Sequence, residues 1–121
     1  MIDVITDRRN RRQFVRELVA QGNLLACCAI NVAETYAGML PDEEPRTRQF
    51  LESLEYYPIS RETARLAGLL KFEHRKKGIR LSTTDVTIAA VAIQHHLVLL
   101  TDNVKDFPMK QIMLYPLPKG R

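Results

Sequence analysis

Acidic and amide side chains stand at three places where the sequence changes from an apolar run to a helical or loop pattern. Glu34 lies four residues past the apolar run Leu24–Ile30, and Asp85 opens the helical pattern that begins at Ser82. The third place is the segment after the apolar run Leu97–Leu100, which contains Thr101, Asp102, Asn103 and Asp106.

These side chains suit a metal site that acts on phosphodiesters. In open parallel sheets, ligands bind beyond the carboxyl ends of the strands, so side chains that follow strands are expected to converge there. Carboxylates that crowd together need a cation to stay ionised. Oxygen ligands suit Mg²⁺ or Mn²⁺ rather than zinc, and such ions can activate water and stabilise the charge that develops in phosphodiester cleavage.

Each position also has a purely structural explanation. Asn31 with Glu34 and Ser82 with Asp85 both have the spacing of a capping box, and the helix dipole favours an acid in a first turn. Asp102 and Asn103 are common turn residues. Convergence of all these side chains at one end of the sheet is what favours the functional interpretation.

The elements that must position these residues alternate between helix and strand. The pattern predicts helices over residues 4–21, from Asn31 to Gly38–Leu40, from after Pro45 to Leu54, over Arg61–Lys77 and over Ser82–His96. It predicts strands at Leu24–Ile30, Tyr56–Ile59 (an edge strand), Leu97–Leu100 and Ile112–Tyr115. The expected buried stripes are Ala64, Ala67, Leu70 and the Lys71 stem on one helix, and Val86, Ala89, Ala90 and Ile93 on the next.

This alternation predicts one α/β domain over residues 1–121, built around a mostly parallel sheet. The 121 residues are 45% hydrophobic and 26% charged, which is typical of a globular protein and excludes collagen-like or fibrous classes. We expect no membrane span and no signal peptide. Cys27 and Cys28 are expected to be reduced packing residues of a cytoplasmic protein.

The net charge of +4 is concentrated in two clusters. They could be solvated helix faces or an electrostatic surface for a polyanion such as RNA, and charge alone does not decide between them. The first cluster is Arg8, Arg9, Arg11, Arg12 and Arg16; the second is Lys71, Arg75, Lys76, Lys77 and Arg80.

The three acid-bearing segments resemble the PIN-domain ribonucleases, specifically the VapC-type toxins of toxin–antitoxin modules. The matching pieces are Ala29–Gly38, Leu81–Ala90 and Leu99–Phe107, in family order and at family spacing. The resemblance covers essentially the whole chain. It implies a three-layer α/β/α sandwich and Mg²⁺- or Mn²⁺-dependent cleavage of RNA. It also implies a homodimer that a cognate antitoxin silences by placing its tail in the active-site groove.

The resemblance also implies roles for individual residues. Glu34 matches the family's glutamate, Asp85 its central metal-binding aspartate, and Asn103 the fourth acidic position. The implied metal ligands are Glu34, Asp85 and Asn103, with Asp102 as a further catalytic residue. The expected supporting residues are Asp3, Thr101 and Asp106. From the two charge clusters, the expected RNA-binding residues are Arg8, Arg9, Arg11, Arg12, Lys76 and Lys77.

The N-terminus departs from the family pattern. The family opens with a strand that runs into Asp-Thr-Asn or Asp-Thr-Ser, whose first aspartate is a principal metal ligand. Here Met1–Val4 resembles the later part of that motif, so we expect the opening strand and its acid to be absent and Asp3 to lie in the first helix. In a second register Met1 and Ile2 are the stub of the strand and Asp3 is the ligand, although the distance to Leu24 suits this register poorly.

The main hypothesis is a divalent-metal-dependent endoribonuclease, the toxin of a toxin–antitoxin pair. One alternative is a catalytically inactive PIN-fold module that binds antitoxin or RNA, because the first aspartate is missing and Asn103 replaces an acid. A receiver- or flavodoxin-like domain would require an acidic pair after the first strand or a phosphate-binding loop, and neither is visible in the sequence.

Overall fold

Five parallel strands form one sheet in the computed structural model, which describes residues 3–6, 22, 24–101 and 103–114. The strands lie in the order β3-β2-β1-β4-β5, and every neighbouring pair is parallel. Their bounds are Asp3–Thr6 (β1), Leu24–Cys27 (β2), Glu55–Tyr56 (β3), Val98–Leu100 (β4) and Met113–Leu114 (β5). The α/β class with a parallel sheet is confirmed, and the strand predicted near Tyr56 does lie at an edge.

The central strand β1 is the strand that we expected to be absent, and that expectation is wrong. Asp3 pairs with Leu24 in β2, and Thr6 pairs with Leu100 in β4. Without β1, both neighbours would carry unpaired backbone groups inside the sheet. The β-branched run Val4-Ile5-Thr6 suits a strand, and Ile5 is completely buried. The predicted helix over residues 4–21 is therefore wrong for residues 4–6, and residues 7–21 lie outside the described part of the chain.

Four helices connect the strands in the described part. They are Ala29–Ala37 (α1), Glu44–Glu52 (α2), Arg61–Lys76 (α3) and Thr83–Gln94 (α4), with 3₁₀ turns at Pro41–Glu43 and Val104–Asp106. The predicted strand Leu24–Ile30 ends earlier, at Cys27, because the helix that follows it begins earlier than predicted. None of the helices among the described residues is long and apolar enough to cross a membrane.

Helix α3 begins where the sequence predicts and ends one residue earlier, at Lys76. The hydroxyl of Ser60 accepts a hydrogen bond of 3.1 Å from the backbone N–H of Thr63, which caps the first turn. At the other end Gly78 has φ of +80°, a conformation that suits glycine because it has no Cβ. The N–H of Gly78 donates to Arg75 and that of Ile79 to His74, each over 2.9 Å, so the chain turns sharply back after α3.

Helix α4 is the centre of the core, and the predicted apolar stripe on it is too narrow. Every residue from Val86 to Ala92 is buried, whereas the predicted stripe member Ile93 is only partly buried. The reason is that α4 contacts α3, α1 and β4 and so has neighbours on several sides. On α3, Ala67 and Leu70 are buried as predicted.

Two further details of the prediction differ in the structure. Ala64 was expected in the buried stripe of α3 but is exposed, and Thr63 is buried in its place. Cys27 and Cys28 are both buried and form no disulfide, as predicted. Cys28 lies after the strand, at the start of α1.

Candidate active site

The sheet topology defines one edge where a ligand would be expected. From β1 the chain adds β2 and then β3 on one side, and later adds β4 and β5 on the other side. The strand order therefore reverses between β1 and β4, and in open parallel sheets the crevice beyond the carboxyl ends at such a point is the usual ligand site. The segments that leave β2 and β4 at this edge carry Glu34 and Asn103.

Glu34 lies in the second turn of α1, not at its start. Cys28 precedes the helix, and its backbone N–H donates a hydrogen bond of 2.8 Å to the side-chain oxygen of Asn31. Asn31 therefore forms a capping box with Cys28. The capping box predicted between Asn31 and Glu34 is wrong. Glu34 lies beyond the first turn, so it does not cap this helix, and its side chain is exposed.

The negative charge of Glu34 acts on Cys28, the residue that precedes its helix. Burial raises the pKa of the Cys28 thiol, and the nearby Glu34 carboxylate adds to that rise. An additional negative charge disfavours the thiolate, as expected for like charges. The carboxylate thus acts over the junction between β2 and α1, at the carboxyl end of the sheet.

Asp85 is the third residue of α4. Its backbone N–H donates a hydrogen bond of 3.0 Å to the hydroxyl of Ser82, so Ser82 caps the helix as predicted. The side chain of Asp85 is half-buried, and among the described residues it forms no hydrogen bond or ion pair. Helices α1 and α4 contact each other, so the elements that carry Glu34 and Asp85 are neighbours.

Thr101 and Asn103 form a hydrogen-bonded turn directly after β4. Thr101 is 3% exposed, and its hydroxyl accepts a hydrogen bond of 2.9 Å from the backbone N–H of Asn103. The carbonyl of Asn103 then accepts from the N–H of Asp106, again over 2.9 Å, which forms the 3₁₀ turn. Asp106 is half-buried in this turn, and Asp102 lies outside the described residues.

The described residues do not by themselves form a metal-binding cluster. Within that part of the chain, no three His, Cys, Asp or Glu side chains lie together in a group that could hold a metal ion. Glu34, Asp85 and Asn103 all offer oxygen donors, which is the donor type that Mg²⁺ and Mn²⁺ prefer. The side chain of Asp3 and the whole of Asp102 lie outside the description.

One acidic position was missed by the sequence reasoning. With β1 ending at Thr6, the next residue in the sequence is Asp7, which we had assigned to the interior of a helix. The available signal was the β-branched run before it, since Val4, Ile5 and Thr6 favour a strand. Asp7 itself lies outside the described residues.

Only two of the six predicted RNA-binding residues lie in the described part of the chain. Lys76 and Lys77 are exposed at the end of α3, and the Lys76 ammonium lies 3.4 Å from the Glu73 carboxylate. The other four predicted residues, Arg8, Arg9, Arg11 and Arg12, lie outside the described part of the chain.

Comparison with known proteins gives one consistent family. Residues 1–108 match the family model of the PIN domain. The chain is 31% identical over 96 residues to ribonuclease VapC2 of Rickettsia felis, which covers 75% of this chain and 72% of that protein. It is 30% identical over 96 residues to ribonuclease VapC19 of Mycobacterium tuberculosis, which covers 79% of this chain and 77% of that protein.

Solved structures show the same fold. VapBC2 from Rickettsia felis, bound to a DNA fragment from its promoter, has a TM-score of 0.75 and 25% identity, covering 98% of this chain and 100% of that chain. VapBC-1 from nontypeable Haemophilus influenzae has a TM-score of 0.76 at 21% identity, with coverage of 95% and 97%. Fold and site thus define an α/β protein with an acid-bearing edge at the carboxyl end of a parallel sheet. The chain belongs to the PIN-domain family, in its VapC-type branch.

Proposed function

We propose that this chain is a divalent-metal-dependent endoribonuclease, the toxin of a toxin–antitoxin pair. The observation that carries the proposal is the placement of the Glu34 helix and the Thr101–Asn103 turn at the carboxyl edge of the sheet, beside the point where the strand order reverses. The similarity to proteins named as ribonucleases supports RNA as the substrate.

The metal ligands in this proposal are Glu34, Asp85 and Asn103. Asp102 and Asp7 are further acids of the proposed site, and both lie outside the described residues. All of them offer oxygen donors, so the donor set suits Mg²⁺ or Mn²⁺. When bound, such an ion activates water and neutralises charge that develops on the phosphate. Asp7 takes the place of the first aspartate because it is the residue that follows the central strand β1 in the sequence.

The chain's own residues have separate tasks in this proposal. The capped turn that begins at Ser82 holds the backbone of Asp85 in place, and the half-buried carboxylate supplies fixed negative charge. The Thr101 hydroxyl fixes the backbone of Asn103, whose neutral amide can orient a water by donating or accepting a hydrogen bond. Asp106 supports the same turn through its backbone N–H.

An inactive binding module is the second candidate, and its support is now smaller. The presence of β1 removes the missing strand as an argument, and Asn103 in place of an acid is the observation that still favours it. In either case we propose a cognate antitoxin as the protein partner, since VapBC complexes share this fold. A homodimer and a cytoplasmic location complete the proposal.

The test is cleavage of a fluorescently labelled single-stranded RNA with Mn²⁺, with Mg²⁺ and with a chelator. We expect cleavage only when metal is present. We expect Asp85→Asn to lower the rate on the order of 100-fold or more, because it removes the negative charge of a proposed metal ligand while the side chain keeps nearly the same shape. The matched control is Asp42→Asn, the same change at an exposed position in the turn Pro41–Glu43, which should leave the rate unchanged. A folded wild-type chain that does not cleave with either metal would favour the inactive module.

A further inference from the structure

A basic cavity of about 380 Å³ lies at the C-terminal end of α3. Among the described residues, its lining consists of two apolar and three positively charged side chains, with no acidic one. The lining residues are Lys71, Arg75, Ile79, Arg80 and Leu81. Lysine and arginine together around one cavity are the side chains that bind phosphate groups.

The turn after α3 brings these cations together. Lys71 and Arg75 are four residues apart on one helix and so lie on the same face. Gly78, with φ of +80°, ends the helix and reverses the chain, which brings Arg80 to the same cavity from the other side. Leu81 is 7% exposed and anchors the returning segment in the core.

The charges in this cavity are not neutralised by acids of the described part of the chain. There, Lys71, Arg75 and Arg80 form no ion pair with a carboxylate, whereas Lys76 on the same helix is paired with Glu73. Lys71 does bond to the Thr83 hydroxyl, and the Arg75 guanidinium lies 5.8 Å from the centre of the Phe72 ring, but neither partner is negatively charged. Cations without a carboxylate partner at a concave surface attract anions more strongly than cations that already have one. The cavity is therefore a better anion site than the exposed Lys76 side chain.

The cavity adjoins the first turn of α4. The Lys71 ammonium donates a hydrogen bond of 2.9 Å to the hydroxyl of Thr83, the first residue of that helix. The N-terminus of a helix carries partial positive charge, which adds to the three cations. Asp85 lies in the same turn but two residues further on, so its side chain leaves the helix on the side roughly opposite Thr83.

We infer that the cavity binds a backbone phosphate of the RNA substrate close to, but distinct from, the phosphate that is cleaved. The inference rests on the proposed function and narrows it to a path for the RNA. The RNA strand would pass over the N-terminus of α4, between the cavity and Asp85. Lys71, Arg75 and Arg80 are then positioning residues that determine RNA affinity. Within the basic cluster that the sequence offered as an RNA surface, they would make the phosphate contact in place of Lys76 and Lys77.

The test is binding of fluorescein-labelled single-stranded RNA of about 16 nucleotides, measured by anisotropy on the full chain carrying Asp85→Asn, so that RNA is not cut. The cavity variant is Arg75→Gln with Arg80→Gln. The matched control is Arg61→Gln with Arg65→Gln, which removes the same charge from exposed positions on the same helix. A third variant, Lys76→Gln with Lys77→Gln, tests the two members of the same charge cluster that do not line the cavity. Thermal unfolding checks that each variant is folded.

We expect the cavity variant to weaken RNA binding roughly tenfold, as for a lost charge-assisted phosphate contact. The slope of log K against log salt should fall by about 0.7, the value for one phosphate contact on a single strand. In the otherwise wild-type chain, the same variant should raise KM and leave kcat nearly unchanged. The Arg61/Arg65 control should change each quantity much less.

Three results would overturn the inference. Equal losses in the cavity variant and the Arg61/Arg65 control would mean that only net charge matters. A larger loss with Lys76→Gln and Lys77→Gln would place the contact outside the cavity. Unchanged RNA binding with weakened binding of the antitoxin chain would assign the cavity to the antitoxin.

The inference and the proposed function can fail separately. A wild-type chain that does not cut RNA, but whose Asp85→Asn form loses RNA affinity only in the cavity variant, would refute the nuclease and support the cavity. A chain that cuts RNA with unaltered KM in the cavity variant would support the nuclease and refute the cavity.

Discussion

The Thr63 hydroxyl donates a hydrogen bond of 2.5 Å to the side-chain oxygen of Gln94, which joins the start of α3 to the end of α4. At the other end of the same helix pair, Lys71 bonds to Thr83. The two antiparallel helices are therefore bonded at both ends, and α4 carries Asp85 and the unbroken buried run from Val86 to Ala92. The bond at Thr63 fixes the helix pair at the end remote from the candidate site.

Thr63→Val should lower the free energy of unfolding by about 1–2 kcal/mol, because Thr63 is buried and the change leaves the Gln94 oxygen without its donor. The measurement is urea unfolding of both proteins. In a Gln94→Met background the same change should cost clearly less, since the acceptor is already gone. Equal costs in the two backgrounds would instead assign the effect to the hydrogen bond of 3.2 Å that the Ser60 backbone N–H donates to the Thr63 hydroxyl.

Gly78→Ala should destabilise the protein by about 1 kcal/mol, because a Cβ is unfavourable at φ of +80°. The space around the position is open, so the cost is conformational and not steric. Gly68→Ala is the control of opposite sign: Gly68 lies inside α3 with equally open space, and alanine there should stabilise by up to about 1 kcal/mol. A neutral Gly78→Ala would contradict the role of this residue in ending α3.

Most of the fold could be predicted from local signals. The cap at Ser60, the stop at Gly78 and the apolar run of β4 each depend on residues close in sequence, and their predicted positions agree with the structure within a few residues. The central strand β1 could not be predicted in the same way. It is four residues long, and what stabilises it is pairing with β2 and β4, which are distant in sequence.

In the candidate site too, residues near local sequence signals could be proposed, and features that depend on distant segments could not. Glu34, Asp85 and Asn103 could be proposed as site residues because each stands near a recognisable strand or helix start, and their convergence at one edge stays a prediction. Asp7 was missed together with the strand that precedes it. The cavity at Arg75 and Arg80 was visible only as a charge cluster, since their convergence depends on how the chain turns at Gly78.

Asn103→Asp should tighten Mn²⁺ binding, because it adds a charged oxygen ligand at a position where the backbone is already held by Thr101. We expect roughly a tenfold gain in affinity by titration calorimetry, with Asn103→Ala weakening it. Aspartate is also a good residue before a helical turn, so the fold should be preserved. Unchanged affinity in both variants would remove Asn103 from the ligand set.

The two cysteines predict a loss of stability in alkali. Burial raises the pKa of the Cys27 thiol from 9.0 to about 11, with a smaller contribution from Cys28. Between these values the unfolded chain releases the thiol proton while the folded chain retains it, so stability is full below pH 9 and falls as the pH rises towards 11. Urea midpoints across this range should fall less steeply in Cys27→Ala than in the wild type. If the urea midpoints of the two proteins fall equally with pH, the Cys27 thiol does not cause the loss of stability.

The same burial predicts slow reaction with thiol reagents. At pH 8 the folded chain should react with a disulfide reagent much more slowly than the urea-unfolded chain, since only the exposed thiolate attacks. Fast reaction of the folded chain would show that β2 opens readily at Cys27.

The position of the first acid is tested by two substitutions close together in the sequence. Since β1 runs from Asp3 to Thr6, Asp3 begins the central strand, and Asp7 comes after its carboxyl end in the sequence. Ligands of parallel sheets gather at the carboxyl ends, so Asp7→Asn should lower both Mn²⁺ affinity and RNA cleavage on the order of 10–100-fold. Asp3→Asn, the same chemical change at the opposite end of the strand, should leave both nearly unchanged. The reverse result, with loss confined to Asp3→Asn, would mean that Asp3 is the ligand. It would also mean that the register of β1 against β2, with Asp3 beside Leu24, differs from the one described.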